Sequence, residues 1–65
     1  MTEFVLGKDR YHEMDTIRHW CTRQFGHAVW YRKDEDRWSW EGSFGLTAFY
    51  FRDEADATFF ALKWL

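Results

Sequence analysis

Residues 37–52, which read RWSWEGSFGLTAFYFR, decide the fold of this chain. Aromatic side chains recur there at every second position on both sides of a short segment that contains two glycines. Such alternation is typical of strands with one buried face, so we predict strands over residues 37–41 and 46–52. Residues 42–45, Gly-Ser-Phe-Gly, are predicted as the turn between them. The stretch therefore predicts an antiparallel hairpin.

Four further elements are predicted around this hairpin. Residues 27–32 are predicted as another strand, joined to the hairpin through the acidic turn at residues 34–36. Apolar side chains recur at helical spacing in residues 10–25 and again in residues 53–65, which predicts two helices. Residues 2–6 are predicted as a short first strand. The predicted order is β-α-β-β-β-α.

Capping residues mark where the two predicted helices begin and where the first one ends. Asp9 and Asp53 are predicted N-caps, and Gly26 is a predicted C-cap because glycine tolerates a positive φ. Two amphipathic helices on one face of a mainly antiparallel sheet make a two-layer α+β sandwich. We expect residues 1–65 to form one small domain, since 65 residues suffice for one core.

The two faces of the sheet follow from the predicted register. Even-length loops at residues 33–36 and 42–45 place Trp38 opposite Phe49 and Trp40 opposite Thr47, with Glu41 opposite Leu46. Side chains alternate between the faces along each strand. The face predicted to pack against the helices comprises Val29, Tyr31, Trp38, Trp40, Thr47, Phe49 and Phe51.

The opposite face of the predicted sheet is rich in aromatic and arginine side chains. Tryptophan, tyrosine and arginine are enriched at the energetic centres of protein interfaces, so this face is predicted to bind a partner. An odd-length first turn would instead direct Trp30 to the core and Tyr31 outward. The predicted partner-binding residues are Trp30, Arg32, Arg37, Leu46, Tyr50 and Arg52.

The composition narrows the classes of partner. Aromatic residues make up 23% of the chain, more than a core of this size is expected to hold, so some should be exposed. The formal net charge of −2 argues against a general binder of phosphate backbones. No apolar run approaches the roughly 20 residues that span a bilayer, and the first residues lack a basic leader. We expect a cytoplasmic protein without membrane contact.

No pattern of residues predicts catalysis, a cofactor or a metal site. His12 and His19 lie seven residues apart, while Cys21 falls on the apolar stripe of the first helix, where it is predicted as a small core residue. The two clusters of acidic residues, at residues 34–36 and 53–56, lie in a predicted turn and at a helix start, where carboxylates have structural roles. The chain is therefore expected not to be an enzyme, and to hold no cofactor and no metal ion.

The last quarter of the chain resembles the endings of short, uncharacterised proteins of tailed bacteriophages. Residues 49–64, FYFRDEADATFFALKW, pass from an aromatic strand through Phe51-Arg52-Asp53-Glu54 into a helix that ends near Leu62-Lys63-Trp64. The resemblance carries no functional motif. It implies a small phage accessory protein that acts inside a bacterium by binding a host or phage protein.

Taken from the residues, the leading hypothesis is a non-enzymatic protein–protein interaction module. It would use the aromatic and arginine face, first of all as a homodimer interface, because pairing apolar surface stabilises a small fold. The alternative is binding of single-stranded nucleic acid on the same face, where aromatic rings stack on bases and arginines contact phosphates.

Overall fold

The computed structural model of the chain describes residues 2–28 and 37–65. A 3₁₀-helix lies between the first strand and the first α-helix, and a hairpin precedes the second α-helix. The elements are β1 (Thr2–Leu6), the 3₁₀-helix (Lys8–Glu13), α1 (Met14–Phe25), β2 (Trp38–Ser43), β3 (Leu46–Phe51) and α2 (Glu54–Trp64).

The three strands form one antiparallel sheet in the order β1-β3-β2. The chain is therefore an α+β protein, as the sequence predicts. Of the strand predicted over residues 27–32, His27 and Ala28 do not belong to a strand. Residues 29–32, and the predicted turn at residues 34–36, lie outside the described residues.

The hairpin turn is tighter than predicted. Ser43 pairs with Leu46 and Trp40 pairs with Phe49, so the loop contains only Phe44 and Gly45. Both loop residues have positive φ, 52° and 78°, as in the two-residue turns whose twist matches that of paired strands. The predicted pairing of Trp38 with Phe49 is therefore wrong by two residues. A shift of two keeps every side chain on its predicted face.

The first helix begins later than predicted. Residues 8–13 form a 3₁₀-helix with no buried side chain, and the Arg10 N–H donates to the Gly7 carbonyl at 3.1 Å. Asp9 lies inside this segment, so its predicted role as an N-cap is wrong, and Glu13 occupies that position before α1. Without core contacts, nothing extends α-helical geometry back to residue 10.

The other two predicted caps occupy their expected places. Gly26 ends α1 at a φ of 93°, and its N–H donates to the Thr22 carbonyl at 2.9 Å. Asp53 precedes α2 in extended conformation, although its side chain makes no capping hydrogen bond. Neither described helix is long and apolar enough to cross a membrane.

The core lies between both helices and one face of the sheet. The Phe60 ring of α2 lies 5.2 Å from Phe49 and 5.0 Å from Phe51, and Phe25 of α1 reaches Phe51 at 5.5 Å between ring centroids. Both helices therefore pack on the predicted core face. The buried cluster comprises Leu6, Met14, Ile17, Cys21, Phe25, Trp38, Phe49, Phe51, Ala57 and Phe60.

Candidate functional site at the hairpin end

The structure does not leave Tyr50 on the surface. Its side chain points away from the helices, as the register predicts, but only 8% of the residue is exposed. Tyr50 occupies the central strand, between Glu3 of β1 and Ser39 of β2, and Ser39 is itself buried. The prediction that Tyr50 is an exposed contact residue is therefore wrong. A ring in this position is held within the fold.

Arg37 also differs from its predicted place. It precedes β2, and its guanidinium turns to the helix side, where Nε donates to Oδ2 of Asp56 at 2.7 Å and Nη2 donates to Oδ1 at 3.0 Å. The guanidinium carbon lies 5.2 Å from the centre of the Phe25 ring. The hydrogen bond that Arg37 donates to Asp56 raises the pKa of Arg37 above its ordinary value. Arg37 thus links both helices, and is not part of the opposite face.

The remaining predicted contact residues are not brought together as a patch. Leu46 begins β3 and is half exposed, while Arg52 follows β3 and is exposed, so they lie at opposite ends of that strand. The Arg52 N–H donates to the Arg37 carbonyl at 3.1 Å. Trp30 and Arg32 lie outside the described residues.

Phe44 is the most exposed of the large apolar residues that the structure describes. It sits at the tip of the hairpin with 96% of its surface exposed. Its φ of 52° is also rare for a bulky residue, because Cβ then approaches the following carbonyl. Asn or Gly would fit this position at lower cost. An aromatic ring is therefore displayed to solvent in an unfavourable backbone conformation.

Two further exposed side chains, Tyr11 and Leu46, flank Phe44 at the tip. Together the three residues form the hairpin-end surface. Tyr11 comes from the 3₁₀-helix and is largely exposed, and Leu46 follows the turn. The 3₁₀-helix is held against the hairpin by close packing, since a Cβ at Gly45 would lie 3.0 Å from two carbons of the Lys8 side chain. The three residues thus converge from two elements.

A groove of about 440 Å³ runs between the hairpin and the start of α1 beside this surface. Its wall includes Trp40, and the Arg18 guanidinium lies over the Trp40 ring at 4.4 Å from the ring centroid. Arg18 also forms an ion pair with Asp15, which lines the same groove. The groove therefore combines apolar walls with a guanidinium that lies over an aromatic ring.

Arg10 fixes the position of the 3₁₀-helix that carries Tyr11. Its Nε donates to Glu13 at 3.0 Å, and its Nη1 donates to the backbone carbonyl of Trp64 at 2.5 Å. The second bond satisfies a carbonyl at the C-terminal end of α2, where a cation is favoured. The hydrogen bond from Arg10 lowers the pKa of Glu13 below its ordinary value near 4.5. Tyr11 therefore stands on a segment that is tied to the end of α2.

The one cysteine of the chain is a core residue. Cys21 is fully buried, and burial raises its pKa to about 12, which keeps the thiol protonated near neutral pH. This confirms the interpretation of Cys21 as a core residue. Within residues 2–28 and 37–65, no three His, Cys, Asp or Glu side chains come together as metal ligands.

Sequence reasoning placed the contact surface on a sheet face and missed Phe44. One signal for it was present, because an aromatic residue directly before the glycine of a short turn is unusual. No protein-family model, no curated protein and no solved structure matches this chain.

Proposed function

We propose that this chain is a non-enzymatic protein-interaction module and that the hairpin-end surface is its contact site. Phe44 supplies the anchor, a ring that enters an apolar pocket of the partner, while Tyr11 and Leu46 pack around it. Aromatic anchors surrounded by partly apolar residues are the usual source of binding energy in protein interfaces.

The observation that carries this proposal is the pairing of exposure with backbone cost at Phe44. The ring is almost wholly in solvent, so packing within the fold does not account for it. The positive φ makes phenylalanine a poor residue for this turn. A side chain that contributes little to the fold and fits its backbone badly is best explained by a contact outside the fold.

The setting of this function is part of the same proposal. The resemblance of residues 49–64 to phage proteins supports a phage accessory protein that acts in the bacterial cytoplasm, with a host or phage protein as its partner. A second copy of the chain is the simplest partner. In that case the hairpin-end surfaces of two copies contact each other, and the fraction of dimer rises with the concentration of the chain alone.

The experiment is capture of bacterial proteins on the tagged chain, quantified by mass spectrometry for wild type and two variants. Phe44→Ala removes the ring but keeps the same backbone conformation, so loss of a stoichiometric partner is expected. Phe59→Ala is the matched control, because Phe59 is also an exposed phenylalanine but lies on α2. A partner lost equally with both variants, or with Phe59→Ala alone, contradicts the hairpin-end surface as the contact site.

A nuclease-treated half of each sample separates the alternative function. Single-stranded nucleic acid would need stacking rings and cations, and the buried Tyr50 is not available for stacking. We expect the captured partner to survive nuclease. Recovery that vanishes with nuclease and falls steeply with salt would replace the protein-interaction proposal with nucleic-acid binding.

A further inference from the structure

We propose that the groove between β1 and α2 binds a short extended segment of a partner protein, which adds to the sheet as a strand beside β1. This site is separate from the hairpin-end surface. The site is formed by β1, α2 and the space between them.

The strand and the helix run side by side in the same direction. Thr2, at the start of β1, pairs with Phe51, and α2 begins three residues later at Glu54. At the other end, the bond from Arg10 to the Trp64 carbonyl brings the end of α2 next to the segment that follows β1. The space between β1 and α2 is therefore an elongated channel along the sheet edge.

The channel has the size and the lining of a peptide site. It holds about 380 Å³ and is lined by Thr2 and Phe4 on β1 and by Glu54, Ala57, Thr58 and Ala61 on α2, so one carboxylate lies at the end where α2 begins. Leu62, 81% exposed, and Leu65 form its apolar rim. An 11-residue helix is about 16 Å long, which matches about five residues of extended chain.

The open edge of β1 decides which occupant fits. The order β1-β3-β2 leaves β1 at an edge, and among residues 2–28 and 37–65 no strand pairs with its outer side. An extended segment can bond to the outward N–H and C=O groups of β1 while every second side chain enters the channel. A helix cannot use the strand edge. The mostly apolar lining favours side chains of about the size of Ala, Val or Leu at alternate positions, and the Glu54 carboxylate disfavours an acidic side chain near the start of α2.

The test uses a library of capped heptapeptides in which every position is randomised over apolar and polar residues. We expect selected peptides to carry Ala, Val, Leu or Ile at alternate positions and to shift the amide NMR signals of β1 and α2. N-methylation of the peptide amides on one edge should weaken binding at least about tenfold, and methylation of the other edge should have little effect.

Two variants of the chain complete the test. Leu62→Glu should weaken the selected peptide at least about tenfold, because it brings a carboxylate to the apolar rim. Lys63→Glu is the matched control on the next residue, and binding should change less than about twofold. Equal loss with both variants, no selected peptide, or no effect of N-methylation would overturn the proposal. Concentration-dependent shifts of β1 without peptide would also overturn it, since a second copy would then fill the channel.

Discussion

The guanidinium of Arg37 holds the Asp56 carboxylate through two hydrogen bonds, of 2.7 and 3.0 Å, and thereby ties the start of β2 to the first turn of α2. Asp56 is buried, and its charge is tolerated there because the Arg37 guanidinium supplies the opposite charge and two hydrogen bonds. An arginine that looks like a surface contact in the sequence is thus part of the fold.

Replacing Arg37 should therefore weaken the fold and not the interaction with a partner. Arg37→Ala leaves a buried carboxylate without its donor, which is more harmful than removing both groups. We expect a lower urea midpoint, and recovery of part of the loss in the double variant Arg37→Ala/Asp56→Ala. Arg23→Ala, an exposed arginine on α1, is the control. Equal midpoints for Arg37→Ala and Arg23→Ala would contradict this role.

Tyr50 should behave as a core residue. We expect Tyr50→Ala to lower the free energy of unfolding by about 3 kcal/mol, the low end for truncation of a buried aromatic side chain, and Phe49→Ala by about 3–5 kcal/mol. Urea denaturation of the purified variants measures both. A loss below about 1 kcal/mol at Tyr50 would show that its ring contributes little to packing on that face.

The sequence predicted which face of the sheet each hairpin side chain occupies, but not which residues pair across the two strands. Period-two alternation places Trp38, Phe49 and Phe51 on the core side whatever the even length of the turn, so the face survives a register error of two. A turn of two residues requires a positive φ at Phe44, which is unfavourable for phenylalanine. The shorter turn was therefore not predictable from residue propensities. Burial of Tyr50 was not predictable either, because alternation tells which face a side chain occupies and not how far that face is covered.

Glu13 makes the stability of the fold depend on pH. Its pKa is lowered by the hydrogen bond from Arg10, and such a carboxyl stabilises the fold above its ordinary pKa. That contribution is lost as pH falls through the lowered value. The difference in free energy of unfolding between wild type and Glu13→Gln should therefore be largest near pH 7 and shrink below about pH 4.5. Glu3→Gln serves as the control, and an equal pH trend for both variants would contradict the role of Arg10.

Cys21 should react with thiol reagents only when the fold opens. Its pKa of about 12 and its complete burial leave neither thiolate nor access near pH 8. We expect slow labelling of the native chain by a disulfide reagent, and fast labelling in urea. Phe49→Ala should accelerate native labelling because it makes opening more frequent. Rapid labelling of the native wild type would place the thiol outside the core.

The candidate site was less predictable than the fold, for a physical reason. Core positions can be predicted from the periodic spacing of apolar residues, while a single exposed ring in a turn belongs to no periodic pattern. Phe44 becomes conspicuous only once its backbone conformation and its exposure are both known.

The most direct test of the central claim is to replace Phe44 by asparagine and to measure stability and partner capture on the same protein. Asparagine accepts the positive φ of this turn, so the free energy of unfolding should rise by about 1 kcal/mol, while capture of the partner is lost. Phe44→Ala, which keeps the unfavourable backbone, should lose capture without that gain. A less stable Phe44→Asn chain, or one that still captures its partner, would contradict the account.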